Sequence, residues 1–418
     1  MRLVYKFNNY DNNDTLLELC HYSKDLYNQA LYYYKQCLDE KTHINYVLLE
    51  RYMKTLTNLE GEINYRKLKA QVSQQIIKAL DKSIKGYFES LKEYKIHPEK
   101  FKGIPKMPKF KKKDGYHQLI YTNQCVTIKD RNIYFSKDLY INIPQYDKYK
   151  SMIDDFQQIR VNPKKGYTEI EIVYNSYENR ADVDYKKFSS IDLGVSNIVT
   201  LVSENEKPII FSGGIIKSKN RYFNKEIARY KSLAETNNKK KSTKRINELY
   251  RKRDNQLIDI YHKLSKWIVR YLIDHKIGNL IIGYNDGWKD STTMGDRNNQ
   301  NFHEISYDKL INYLKYKCEC CGIIVVKNEE SYTSKCDSLS LEEICFHDVY
   351  SGKRIKRGLF RSSTNELINA DVNGAINIMR KVTGDSYVKT KIISSGLLFN
   401  PIKVKNLYNI DINVYKYF

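Results

Sequence analysis

Along the first hundred residues the apolar positions recur at three- and four-residue steps. Leu16, Leu19, Cys20, Ser23, Leu26, Tyr27, Ala30, Leu31 and Tyr34 form one such stripe, and Leu68, Val72, Ile76, Ala79, Leu80, Ser83, Tyr87 and Leu91 form another. That spacing predicts amphipathic helices between about Asn13 and Leu91. From His117 to Tyr174 the period shortens to two. The short β-branched and aromatic runs LIYT, CVTI, NIYFS, LYINI, IRV and YTEIEIVY are separated by turn residues such as Asp130-Arg131-Asn132. They predict a small β-barrel or sandwich, with the early run LVYKF available to complete it. The next block alternates strand and helix: FSSIDLG, NIVTLV and KPIIFSGG predict three strands, Lys219 to His275 a long basic helical region, and LIIG another strand.

Charge marks the borders between these blocks. Residues 95–113 hold three prolines (Pro98, Pro105, Pro108), eight lysines and a single acid, Glu99. Such a segment breaks helices and cannot build a core, so it divides the helical and β blocks. Its lysines Lys102, Lys106, Lys109, Lys111, Lys112 and Lys113 are candidate phosphate contacts, with Phe101 and Phe110 interleaved. A second basic run holds Lys239, Lys240, Lys241, Lys244 and Arg245. A third holds Lys353, Arg354, Lys356 and Arg357, followed by Arg361.

Over 418 residues, 71 Lys+Arg against 49 Asp+Glu leave a net charge of +22. A polyanionic partner follows, and nucleic acid is the first choice. Thirteen per cent aromatic content, including 37 tyrosines, argues for folded cores, where most of those tyrosines belong. No apolar run is long enough to span a bilayer and no cleavable leader begins the chain, so the expectation is a cytoplasmic protein without a membrane partner. The eight cysteines have no framework spacing and are expected to be reduced.

Two acids stand in contexts that suggest chemistry. Asp192 closes an apolar strand just before Gly194, where a lone carboxylate needs a partner. Asp371 falls in the first turn of a helix that Asn369 can cap, followed by the apolar face Ala375, Ile376 and Met379. A strand acid and a helix acid enclose one α/β block.

The segments IDLGVSNIVTLV (191–202), SGGIIKSKNRYFNKE (212–226), SYTSK (331–335), GKRIKRGLFR (352–361) and NADVNGAINI (369–378) resemble the TnpB proteins of bacterial insertion sequences. Those are RNA-guided DNA endonucleases with a RuvC-like, RNase H-type nuclease domain, related to the type V CRISPR effectors. The resemblance implies an α+β multidomain fold with a helical recognition lobe, a small oligonucleotide-binding β-barrel, and an RNase H-like (RuvC-type) α/β nuclease domain with a short basic insertion. Its implied boundaries are 1–12 for the first barrel strand, 13–97 for the lobe, 98–116 for the basic linker and 117–184 for the barrel. The nuclease domain takes 185–335 and 366–382, around a degenerate zinc-finger-like insertion at 336–365. A tail, 383–418, carries no assignable motif.

The resemblance further implies a guide RNA and target DNA as partners and a divalent-metal site. Asp192 would be the first acid and Asp371 the last, and an all-oxygen site suits Mg²⁺ or Mn²⁺. This chain departs from the family at the middle acid, because Gly283 stands where a glutamate is usual. Glu330 is the preferred replacement and Glu329 the second choice, both at the end of the strand GIIVVKNEE, where alternation lets only one face the site. Asp286 and Glu304 rank lower. The family's paired-cysteine knuckles are reduced to Cys336, Cys345 and His347, and Cys318 and Cys321 lie in a helical run, so zinc is disfavoured. The expected function is RNA-guided DNA cleavage for a mobile element. Its alternatives are a nuclease-dead RNA-guided repressor and a guide-independent nucleic-acid-binding accessory of transposition.

Overall fold

The protein is described from a computed structural model, which covers residues 2–101, 103–164, 166–175, 180–238, 243–285 and 304–407. Lys102, Lys239, Lys240, Lys241 and Asp286 lie outside the described residues. The chain divides into two units, Met1–Tyr177 and Glu178–Phe418.

In the first unit the helical periodicity resolves into α1 (Asn13–Asp39), α2 (Tyr46–Met53) and α3 (Ala70–Ile96). The strand β1 (Arg2–Asn9) precedes them. After them come β2 (Leu119–Thr122), β3 (Thr127–Lys129), β4 (Asn132–Tyr134), β5 (Tyr140–Asn142), the helix α4 (Tyr146–Ile153), β6 (Phe156–Lys164) and β7 (Tyr167–Asn175). The strands form two sheets, ordered β1-β7-β6-β2 and β3-β4-β5. The run LVYKF therefore joins the strand YTEIEIVY, with Leu3 opposite Tyr174 and Phe7 opposite Ile170. Helices and sheets share one core, in which Leu16, Leu31, Ile76 and Leu80 meet Leu119, Ile133, Ile159 and Ile172. The basic segment between the blocks is tied down through its backbone. Asn28 of α1 brackets Lys111, accepting from its N–H at 2.8 Å and donating to its carbonyl at 3.0 Å, and Lys24 donates to the Lys113 carbonyl at 2.8 Å. Lys106, Lys109, Lys111, Lys112 and Lys113 stay exposed.

The second unit is built on a six-stranded sheet. Its elements are β8 (Asp184–Asp192), β9 (Asn197–Ser203), β10 (Ile209–Ser212), α5 (Gly214–Asn238), α6 (Lys244–Asp274), β11 (Ile277–Gly283), α7 (Tyr307–Cys320), β12 (Ile324–Asn328), β13 (Lys353–Lys356), β14 (Leu359–Arg361), β15 (Leu367–Asn369), α8 (Ala370–Thr383), α9 (Asp385–Lys391) and β16 (Ile402–Val404). The sheet order is β12-β11-β8-β9-β10-β16. The strands β8, β9 and β10 run antiparallel to one another, whereas β11 is parallel to β8 and to β12. β9 and β11 are buried along nearly their whole length because both faces of the sheet are covered. Ile191, Leu201, Phe211, Leu280 and Ile282 pack toward α6 and α7, while Val202, Ile210 and Ile281 pack toward α8. A separate antiparallel sheet, β13-β14-β15, leads into α8.

Two expectations change. The strand read as ending in Glu329 and Glu330 ends at Asn328, so alternation along that strand does not decide between the two acids. The tail, expected to carry no motif, supplies α9 and the edge strand β16, which pairs parallel with β10 and is anchored by the buried Leu398 and Leu407. Among the described residues no helix is long and apolar enough to cross a membrane.

Candidate active site

Alternation within β8 sets the direction of its acid. Ile191 belongs to the core beneath α6 and α7. Its neighbours Ser190 and Asp192 must then face α8. Ser190 does so, donating to the Ala375 carbonyl at 2.7 Å. A Cβ added at Gly374 of α8 would stand 3.0 Å from Asp192 Oδ2, so the bare helix backbone there is what admits the carboxylate. Along β11 the same logic applies: Ile281 packs toward α8, Ile282 toward α6 and α7, and Gly283 toward α8 again. Gly283 thus shares a face with Asp192.

Asp371 arrives through the cap of α8. The side chain of Asn369 accepts from the N–H groups of Asp371 at 3.0 Å and Val372 at 3.3 Å, which fixes the first turn. Asn197, at the start of β9, donates to Asp371 Oδ2 at 2.5 Å. Arg354 of β13 places its guanidinium 3.8 Å from the other carboxylate oxygen.

Glu330 occupies the space left by Gly283. A Cβ at position 283 would lie 2.8 Å from Glu330 Oε2 and press on Ile378 Cδ1, so any side chain there would have to displace the glutamate carboxylate or Ile378. The parallel pairing that sets Gly283 opposite Asn328 brings the chain to this point, two residues before Glu330. The Glu330 N–H then donates to Asn285 Oδ1 at 3.1 Å, which holds the turn. Glu329 goes elsewhere. It pairs with Lys381 at 2.7 Å and accepts from the Ser331 N–H at 2.7 Å, on the exposed side of α8. Glu304 accepts from Asn224 of α5.

The electrostatics tie the three acids together. Burial, and then the charges of Asp371 and Glu330, hold the Asp192 carboxyl well above the usual carboxylate range, while Arg354 offsets part of the shift. Burial, followed by the charge of Glu329, pushes Glu330 up to about 7, with Lys381 pulling the other way. Glu330 Oε2 is buried and accepts no hydrogen bond. An orphaned carboxylate oxygen beside two further acids is a surplus of hard negative charge, which a divalent cation would neutralise. Among the described residues no group of three or more His, Cys, Asp or Glu is arranged to hold a metal ion as it stands. Asp371 has both its oxygens engaged, one by Asn197 and one by Arg354.

A buried polar stripe on α8 supports the site. Asn373 accepts from the Ser338 N–H at 3.0 Å and donates to the Cys336 carbonyl at 2.9 Å. One turn later Asn377 donates to the carbonyls of Thr333 at 2.9 Å and Cys336 at 2.7 Å. The loop that follows Glu330 is thereby fastened to the helix that carries Asp371. Nothing in the spacing of Asn197 or Asn285 marked them as site residues, since their partners are far away in sequence, and Arg354, read as one of a basic run of phosphate contacts, lies beside Asp371. The Asn373/Asn377 pair, four residues apart on one face of an otherwise apolar helix, was a readable signal.

The remaining predicted residues are dispersed. Lys244 and Arg245 open α6, and Arg245 pairs with Glu248 at 3.4 Å. Lys353, Lys356 and Arg357 project from the β13–β14 hairpin and are exposed. Cys318 is buried in α7, its thiol pushed up by burial. Cys345 Sγ lies 3.4 Å from His347 Nε2, and Cys336 contacts the Cys345 carbonyl.

The sequence matches the OrfB_IS605 family, described as a probable transposase, over residues 171–289, and the Cas12f1-like TNB domain over residues 307–378. Among curated proteins it is 27% identical over 211 residues to the TnpB-like protein ORF457 of Acidianus two-tailed virus. That match spans 47% of this chain and 42% of the relative's length. Among solved structures the fold is similar to a Cas12f1–sgRNA–target DNA complex, with TM-score 0.53 and 17% identity over 87% of this chain and 82% of the other. It is also similar to the mini-RNA-guided endonuclease CRISPR-Cas_phi3, with TM-score 0.51 and 9% identity over 91% and 92%.

Proposed function

This chain is a TnpB-family protein, and from that premise we propose that it is an RNA-guided DNA endonuclease of a mobile element whose RNase H-like sheet carries the acids Asp192, Glu330 and Asp371. The observation that carries the reading is the exchange at Gly283: the glutamate missing from the end of β11 is replaced, in the same space, by the Glu330 carboxylate arriving from beyond β12. An exposed, solvated glutamate would have no reason to fill that gap with a buried, unpartnered oxygen.

Asp192, Glu330 and Asp371 would hold Mg²⁺ or Mn²⁺, which when bound supplies charge neutralisation at the scissile phosphate and an activated water. The protein's own part is positional. α8 and β8 fix two carboxylates on one face of the sheet, Asn285 fixes the backbone of the third, and Asn197 orients Asp371. Arg354 must give up Asp371 for all three acids to act together, and a phosphate entering the site offers it a competing partner. The exposed lysines Lys106, Lys109, Lys111, Lys112 and Lys113 of the segment between the helical and β blocks, with the basic start of α6, supply backbone contacts for a guide RNA and its duplex with target DNA, which carries the sequence choice.

The test is a pair of isosteric changes. Glu330→Gln should eliminate cleavage of a matched target, because an amide cannot supply the charge a hard cation prefers, and should leave RNA binding intact. Glu329→Gln should be mild. If the two results are reversed, the third acid is Glu329; if both variants cut normally, the assignment fails. A wild-type protein that holds its RNA and matched target yet never cuts would leave the RNA-guided repressor as the reading.

A further inference from the structure

Next to the carboxylates lies a cavity of about 410 Å³ whose walls include Asn197, Asn369, Lys356, Arg357, Lys403 and Lys405, with no acid among its lining residues. Its cations come from two places far apart in sequence, the β13–β14 hairpin and the strand β16. The pairing of β16 explains why they converge. Lys403 stands opposite Ile210 in the parallel register. Ile210 packs toward α8, and residues opposite one another in a sheet point to the same side. Lys403 therefore faces the side of the sheet that carries Asp192 and Gly283, and Lys405, just beyond the end of β16, lines the same cavity.

Four cations held together without acids repel one another. Among the described residues none of the four is ion-paired with a carboxylate. Arg357 is held by a hydrogen bond to Ser196 Oγ at 2.8 Å, and its charge, after burial, contributes to lowering the nearby Lys217. The cavity also shares a wall with the acids, since Asn197 lines it and donates to Asp371, and Asn369 lines it and caps the turn that carries Asp371.

We propose that this cavity is a phosphodiester-binding pocket, gripping the backbone of the single strand being cut beside its scissile bond, with Lys403 of β16 and Lys405 just beyond it as binding residues. It rests on the nuclease reading only for the identity of that strand. Four cations fit a polyanion, and Ser212, Asn197 and Asn369 add neutral polar groups. Ile210 and Leu359 give an apolar surface for a sugar. A ligand that fills the pocket and also reaches the carboxylates is a chain of phosphodiesters rather than an isolated anion.

The test needs no cleavage. Binding of a short labelled oligodeoxythymidylate to the full-length protein is followed in chelator across a salt series, for the wild type, for Lys403→Gln/Lys405→Gln, and for the charge-matched control Lys148→Gln/Lys150→Gln. Two lost contacts to a single strand should lower the slope of log affinity against log salt by about 1.4, with the control near wild type. A wild-type slope in the cavity variant overturns the proposal, and so does an equal fall in the control. If instead the affinity for the co-purified RNA falls while that for the DNA probe is unchanged, the phosphodiester belongs to the guide and the proposal fails. Because the readout is binding, a protein that loses the probe as expected yet never cleaves would keep the pocket and remove the nuclease reading.

Discussion

Gly283 and Glu330 act as one structural unit, since the absence of a side chain at the first is what gives the second its place. Gly283→Ala would press a methyl group against Ile378 and the Glu330 carboxylate. It should cost about 1–3 kcal/mol, read as a lower denaturant midpoint, and reduce cleavage by displacing the acid. The unusual acidity of Glu330 gives a second, independent check. Its carboxyl titrates near 7 in the folded chain and lower when unfolded. The unfolded state therefore loses its proton first as pH rises, and metal-free stability falls between the ordinary glutamate range and about pH 7. Glu330→Gln lacks this loss. Without divalent ions, thermal unfolding should show the variant equal to wild type near pH 4 and more stable by several degrees above pH 7. Equal melting temperatures at both values would mean that the carboxyl is solvated. At this scale the sequence was legible where a residue broke a pattern: Asp192 in an apolar strand, Asp371 under a cap, a glycine in place of an acid. It was silent on Asn197, an ordinary residue type until folding sets it against Asp371, and it offered Arg354 only as a phosphate contact within a basic run.

Among the elements, α8 carries the most. Its apolar face packs on the sheet, its cap presents Asp371, its bare Gly374 admits Asp192, and its polar stripe holds the loop beyond Glu330. Asn377→Ala would leave the Thr333 carbonyl and part of Arg380 without their partner and the Cys336 carbonyl with Asn373 alone. A loss of about 2–4 kcal/mol is expected from buried groups left unsatisfied, measurable by urea unfolding. Because the stripe positions the third acid, cleavage should fall further than the lost stability explains at temperatures where the variant remains folded. The helix itself was readable from Asn369 and the spacing of Ala375, Ile376 and Met379. β12 was overextended by two residues, because a run of Val, Lys, Asn and Glu contains no turn residue to mark where pairing with β11 stops. β16 was missed altogether. Three residues, IKV, carry no detectable periodicity, and they become a strand only because β10 offers an open parallel edge.

For the whole molecule, the net charge of +22 is distributed over both units rather than confined to a tail. Composition made a polyanionic partner legible at once, but which cations gather and which are merely solvated depends on long-range contacts. Lys111 has its backbone pinned by Asn28, whereas Lys403 and Lys356 meet across a cavity. Binding and chemistry should therefore separate. Asp192→Ala and Asp371→Ala should each abolish cutting while leaving affinity for RNA and its salt dependence close to wild type, since neither removes a positive charge. A gel-shift titration run beside a cleavage assay would show this, and a parallel loss of both would mean that the acids serve folding rather than catalysis.

The order in which the acids occur along the chain has a consequence in time. Asp192 is synthesised 179 residues before Asp371, and the α8 face of the sheet stays bare until the helix that covers Val202, Ile210 and Ile281 has left the ribosome. At ordinary elongation rates that interval is roughly 10–35 s. Throughout it a nascent chain already displays many of its cations, yet has neither Asp371 nor Lys403 and Lys405. On the proposed function, nucleic acid would be gathered before it could be cut. During the same interval the uncovered sheet face is the part of the molecule most exposed to misassociation, so nascent chains stalled before residue 370 should bind hydrophobic dyes and chaperones that chains extended past residue 407 no longer recruit.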